Sequence, residues 1–163
     1  MAALSIVVVV ASNRAADGVY EDTSGPILVR GFTERGCNVA GPVLVHDGDE
    51  VEQALRDAVD DGYDLVVTSG GTGLTSTDLT PEATNHVIDF EVPGIAEAVR
   101  AAGLAKTPHA ALSRGICGVS RRTLIVNIAG SAGAAEDALA VLTAELLEHA
   151  VSQLHDGDHE RND

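Results

Sequence analysis

Tryptophan is absent from this 163-residue chain, and aromatic residues together make up only 2%. The core must therefore be assembled from Val, Leu, Ile and Ala, and no aromatic platform is available for stacking single-stranded bases. Basic residues are also scarce: ten Lys+Arg face 25 Asp+Glu, a net charge of −15. That balance argues against duplex nucleic acid or an anionic membrane as partner, since both require a cationic face. Two cysteines, Cys37 and Cys117, lie far apart with no CxxC spacing, which removes zinc and dithiol redox motifs. They read as two small buried thiols in a reducing compartment. The longest early apolar run, Ile6–Ala11, follows no basic region and has the length of a strand. It is neither a signal peptide nor a membrane span, and a cytoplasmic location is expected.

What is present fits one domain over residues 1–154, followed by a polar tail, 155–163, expected to fray. Hydrophobic residues reach 45% and charged residues 21%, the composition of a globular chain. Its acids are dispersed and Lys106 is the only lysine. Such a surface resembles that of halophilic, salt-adapted cytosolic proteins, where dense counterions screen self-repulsion; an ordinary acidic bacterial protein is the alternative.

The pattern of elements is repetitive. Ala3–Ala11 is a β-branched run suited to a parallel strand buried on both faces. Asp22-Thr-Ser-Gly-Pro26 reads as a cap for a helix near Ile27–Arg35 that stops at Gly36. Val39–Val45 is a second strand, Asp49 caps a helix whose apolar positions include Val51, Leu55 and Val59, and Asp64–Thr68 is a third strand. Later come a helix with Thr80 as cap and Pro81 in its first turn, a helix over Pro93–Gly103, a strand at Thr123–Ile128 and a long helix near Ala134–Leu154. Alternation of this kind predicts an open α/β sheet with helices on both faces.

Ligands of such sheets bind outside the carboxyl ends of the strands, so the loops after Ala11, Val45, Thr68 and Ile128 should converge. Those loops carry Ser12, Asn13 and Arg14; Asp47; Ser69-Gly-Gly-Thr-Gly73; and Gly130-Ser131. Three glycines after a buried strand can turn main-chain N–H groups toward an anion, although a plain tight turn has the same look. No lysine follows at P-loop spacing, and the last glycine of GxGxxG is missing. Asp78 then stands between this loop and the helix opening at Thr80. Both neighbours favour negative charge, so a carboxylate there would repel a phosphate unless a cation lay between them. The pairing points to a metal-bridged phosphate ester, or else to a helix cap. Residues 98–135 contain no acid and half of the basic residues, Arg100, Lys106, Arg114, Arg121 and Arg122. This segment is the candidate positive patch for a polyanion, or a subunit interface from which acids are excluded. His46 reads as a rim histidine facing water, and His155 with His159 as no specific metal site.

Taken in order, Asp22-Thr-Ser-Gly25, GGTG at 70–73, Asp78-Leu-Thr-Pro-Glu-Ala83, Pro93-Gly94 with Arg100, Leu112-Ser-Arg114 with Gly118, and Gly130-Ser131 resemble the MogA/MoaB-like molybdopterin adenylyltransferase family over nearly the whole chain. The resemblance implies a three-layer α/β/α sandwich with a mostly parallel sheet, usually assembled as a homotrimer or a multiple of it. It also implies molybdopterin and Mg-ATP as substrates, with release of pyrophosphate, and possible hand-over to a molybdate-insertase protein. The family's two important aspartates fall on Asp47 and Asp78, as metal ligands first and general base second. Substrate-binding positions carried over are Ser12, Asp22, Ser24, Gly70, Gly71, Thr72, Gly73, Thr80, Glu82, Ser113, Arg114, Gly130 and Ser131. Where the family commonly has Arg or Lys before the second aspartate, this chain has Thr77, and its Pro-Gly-Ser-Pro turn is Ala129-Gly-Ser-Ala132. A non-catalytic molybdopterin-binding or carrier protein of the same fold is the alternative reading.

Overall fold

A computed structural model describes residues 3–157. Six strands form one sheet in the order β2-β1-β3-β6-β5-β4, with β1 at Ser5–Ala11, β2 at Asn38–Val45, β3 at Leu65–Ser69, β4 at Phe90–Glu91, β5 at Cys117–Ser120 and β6 at Thr123–Ile128. The pairs β1·β2, β1·β3 and β3·β6 are parallel; β5 runs antiparallel to both β6 and β4. Strand β1 is buried along Ile6–Ala11 because both of its faces are covered. Ile6, Val8 and Val10 pack with Leu28 and Phe32 of α2 (Ser24–Glu34), Ile95 and Ala96 of α5 (Pro93–Leu104), Ala135 and Ala138 of α6 (Ala132–Val141), and Leu147 and Val151 of α7 (Ala144–Leu154). Val7, Val9 and Ala11 point the other way, to α3 (Asp49–Asp60) and α4 (Thr80–Val87). The expected α/β/α sandwich is thus realised, each β-branched side chain serving one layer by the period-two alternation of a strand.

The differences from expectation lie at element ends and short elements. The long carboxyl-terminal helix is two helices: Leu142 leaves helical geometry (φ −81°, ψ 65°), and the Thr143 hydroxyl accepts the Leu146 N–H to start α7. An apolar stripe continues across the break, since Leu142 and Leu147 are both fully buried, so periodicity alone joined the two. A one-turn helix, α1 (Asn13–Ala16), occupies the first loop, with Ser12 as its cap. Helix α2 opens at Ser24 rather than Ile27, because the Asp22 carboxylate receives the N–H groups of Ser24 and Gly25. Gly48 takes the cap position of α3 and Leu79 that of α4, so neither Asp49 nor Thr80 is the capping residue. Of the tail, His155 ends α7, and residues 158–163, with His159, lie outside the described residues. His155 stands 3.7 Å from Asp64.

Cys117 is buried and burial pushes its thiol up to about 12, whereas Cys37 is only partly covered, against the expectation of two buried thiols. Burial also raises the Cys37 thiol. A disulfide reagent at pH 8 should therefore titrate one slow thiol in the native chain and two after denaturation. Immediate reaction of both in native buffer would contradict the packing of β5.

Candidate functional site at the carboxyl edge of the sheet

Strand order reverses between β1 and β3, and the loops that follow these two strands open a crevice there. The crevice is a cavity of about 660 Å³ lined from the ends of β1, β3 and β6, from α5, and from the 3₁₀ turn Pro108–Leu112. Close approach of the chain builds its floor. Gly70 has φ +96°, and a Cβ there would collide with the Ala11 carbonyl oxygen. Its N–H donates to the Ile128 carbonyl at 3.0 Å, so one peptide locks all three strand ends together. Gly71 has φ +66°, and a Cβ on it would sit 2.6 and 2.7 Å from the two Asp47 oxygens. A Cβ on Gly73 would lie 2.8 Å from Asp78 Oδ2. Glycine is required at the first two by conformation, at Gly70 also by the backbone a Cβ would strike, and at Gly73 a Cβ would displace the Asp78 carboxylate.

Among the described residues, the N–H groups of Gly71, Thr72 and Gly73 find no acceptor in the chain, while the loop's carbonyls are engaged. Gly71 O accepts from Thr80 N–H at 3.0 Å and Thr72 O from Arg114 N–H at 2.8 Å. Arg114 Nε donates to Gly73 O at 2.9 Å and Nη2 to Asp78 O at 2.8 Å. With its oxygens held outward, the loop leaves three successive amides as an anion nest.

Two carboxylates flank the nest. Asp47 follows β2; its Oδ1 accepts the N–H groups of Leu79 and Gly48 at 3.2 Å, and its own N–H donates to Asn13 Oδ1 at 2.9 Å. Burial, reinforced by the charge of Asp78, raises the Asp47 carboxyl above its ordinary value, against the lowering effect of those N–H donors. Asp78 Oδ2 accepts the Thr75 N–H at 3.0 Å and hydroxyl at 2.7 Å. Among the described residues no cluster of three or more metal-type side chains exists. Two carboxylates beside a phosphate nest nevertheless suit Mg²⁺, which is held by one or two carboxylates together with substrate phosphates and water rather than by an all-protein cage.

Twelve of the fifteen residues expected at the site line the cavity: Ser12, Asp22, Ser24, Asp47, Gly70, Gly71, Thr72, Gly73, Asp78, Ser113, Gly130 and Ser131. Several are also structural. Ser24 Oγ lies 2.7 Å from Ser69 Oγ in the interior, Asp22 caps α2, and Ser131 caps α6 by accepting Ala134 N–H at 3.1 Å. Thr80, Glu82 and Arg114 stand behind the wall. Thr80 is fully buried, its hydroxyl directed at Asp47, and Glu82 is ion-paired with Arg114. The Arg114 guanidinium lowers the Glu82 carboxyl, so the pair stabilises the fold above the ordinary value of 4.5 and ceases to do so as pH falls through the lowered native value. Glu82→Gln should lower Tm at pH 7 by about 2 °C, a gap that closes on acidification; thermal melts at several pH values measure it.

Three of the five cations in the expected positive patch are ion-paired. Lys106 pairs with Asp137, Arg121 with Asp60, and Arg114 with Glu82; Arg100 donates to the carbonyls of Ser113 and Gly115. Arg14, in the first loop, lines the cavity without an acidic partner among the described residues, its guanidinium 5.9 Å from the Tyr20 ring centre. His46, rather than simply facing water, bonds Asp17 at 2.6 Å and Glu50 at 2.9 Å, bracing α1 against α3. Sequence reasoning also left out Asn127. Its Nδ2 donates to Thr68 and Thr84 hydroxyls at 2.9 Å, and its Oδ1 accepts Ile116 N–H at 3.2 Å, a satisfied buried brace under the cavity.

Comparison with known proteins agrees with this geometry. Residues 7–149 match the probable molybdopterin binding domain. The chain is 38% identical to a molybdopterin adenylyltransferase of Helicobacter pylori over 80% of its own length and 76% of that protein. It is 37% identical to the Drosophila melanogaster molybdenum cofactor synthesis protein cinnamon over 83% of its length, but spans only 23% of that longer protein. The molybdopterin biosynthesis Mog protein of Mycobacterium ulcerans superposes with a TM-score of 0.86 at 45% identity, covering 96% of this chain and 99% of that one. Several relatives at 32–38% identity bear the name molybdopterin adenylyltransferase. The nest, its two flanking aspartates and this likeness over most of the chain converge: the protein belongs to the MogA/MoaB-like molybdopterin-binding family of molybdenum cofactor biosynthesis.

Proposed function

We propose that this chain binds molybdopterin and adenylylates it with Mg-ATP. An oxygen of the terminal molybdopterin phosphate attacks the α-phosphorus of ATP, the bond to the β-phosphate bridging oxygen breaks, and pyrophosphate leaves with that electron pair. The observation that carries the reading is the row of three unused amides at Gly71–Gly73 between the carboxylates of Asp47 and Asp78. The amides would receive phosphate oxygens, and Arg14 would add a cation that has no acidic partner among the described residues. Asp47 and Asp78 would hold Mg²⁺, which when bound supplies neutralisation of the phosphate charge. What remains for the protein is alignment of two anionic substrates, which is where most of the barrier reduction in phosphoryl and nucleotidyl transfer arises.

The test is release of pyrophosphate when the chain is mixed with ATP, Mg²⁺ and molybdopterin. Release that requires all three supports the assignment; tight molybdopterin binding without release selects the carrier reading instead. That second reading draws on Thr77, a neutral residue on the cavity wall where the resembled family commonly places a cation. A homotrimeric assembly, a cytoplasmic location and hand-over to a molybdate-insertase protein complete the proposal. Among the described residues no helix is long and apolar enough to cross a membrane.

A further inference from the structure

The cavity has a second pole, away from the glycine loop, between α5, the 3₁₀ turn and α6. Its lining there includes the apolar Ala96, Val99, Gly103, Ala110 and Ala134 and the polar Thr107 and His109. One carboxylate stands among them. Asp137, on α6, is only 7% exposed. Lys106 Nζ donates to its Oδ1 at 2.5 Å, and no donor among the described residues reaches Oδ2. That oxygen packs beside Gly103, where a built Cβ would meet it at 3.7 Å, yet it is not sealed off, since no fully buried side-chain polar atom among the described residues is without a partner.

A carboxylate this covered is costly unless its lone pairs are used, and Lys106 occupies only one of the roughly four available. The remaining capacity is acceptor-only and planar. Its complement is a flat group offering two parallel N–H donors. Adenine does not supply that edge, because its amino group stands beside a ring nitrogen that is itself an acceptor. A 2-amino-4-oxopyrimidine ring does, through its 2-amino group and the adjacent ring N–H.

We infer that Asp137, positioned by Lys106, is the specificity residue for the 2-amino-4-oxopyrimidine edge of the pterin, seating that ring in the cavity between α5 and α6. The inference rests on the reading above that molybdopterin is the substrate. It also orients the substrate: with the ring held at Asp137, the phosphate arm runs back toward Gly71–Gly73.

Fluorescence titration of the intact chain with 6-methylpterin and 6-methyllumazine tests it, since the second differs in carrying an oxo group in place of the 2-amino group. Wild type should prefer the pterin by about a hundredfold, the scale of losing one hydrogen bond to a charged group. Asp137→Asn should bring the two ligands to within about threefold, by adding a donor where the ring already has one. Lys106→Met should keep the pterin preference, because the carboxylate remains. Equal binding of the two ligands by wild type, failure of wild type to bind the pterin, or an unchanged preference in Asp137→Asn would overturn the inference. A clamp that only fastens α6 would shift thermal stability in both variants and leave the preference untouched. The wild-type comparison depends on no variant folding. Pyrophosphate release by wild type without pterin preference would remove this inference and leave the adenylylation reading standing; loss of release would remove the reading itself.

Discussion

Asp47→Asn and Asp78→Asn should each slow pyrophosphate release from ATP and molybdopterin at least tenfold, with the larger loss in kcat. Asn keeps the shape of the side chain and one acceptor oxygen, so the Leu79 and Gly48 donors at position 47 and the Thr75 donors at position 78 retain a partner. What disappears is a negative charge beside the nest, and with it the means of holding a divalent cation against substrate phosphates. Effects confined to developing charge appear in the chemical step more than in ground-state binding. A magnesium titration separates the causes: a rightward shift in the variants marks loss of a metal ligand, whereas an unshifted curve with lowered maximum marks loss of a base. Equal release by wild type and both variants would reject the catalytic assignment.

The second large effect is on stability. Gly70→Ala should cost about 3 kcal/mol, because two penalties coincide at one residue. The φ of +96° disfavours any side chain, and the new Cβ would press on the Ala11 carbonyl at the junction of β1, β3 and β6. In a chain of this size that is a fall in Tm of about 9 °C. Gly18→Ala is the control: φ is +73° but nothing lies within 4 Å of the added atom. Only the conformational penalty applies there, about 1 kcal/mol. Similar melting of the two variants would show that strand-end contact at Gly70 contributes nothing.

How far the fold could be read ahead of the structure depended on how much apolar side chain each element carries. Strands β1, β3 and β6 are continuous hydrophobic runs because both faces are covered, and the glycine loop announces itself because only glycine tolerates its conformations. Strand β4 is two exposed residues, and β5 reads Cys-Gly-Val-Ser, too short and too polar to register as a strand. The helix break before Thr143 hides within an unbroken apolar stripe. At the site, Asp47 follows from its place after β2 and Asp78 from its place between the glycine loop and α4, and the family resemblance pairs them. The role of Arg114 does not, because its reach to Gly73 O, Asp78 O and Glu82 exists only once the chain has folded. Lys106 belongs to the acid-free segment expected to face a polyanion, but Asp137 is distant in sequence from the glycine loop, and nothing in its local pattern marks it as sharing the cavity.

The amide brace at Asn127 carries no charge, and neither do its hydroxyl partners on Thr68 and Thr84. Repulsion across the surface of a chain with net charge −15 varies with ionic strength, but uncharged bonds in the interior do not. The floor beneath the cavity is thereby fastened by contacts indifferent to the saltiness of the medium, while the charged clamps at its edge, such as Arg114 with Glu82, are not.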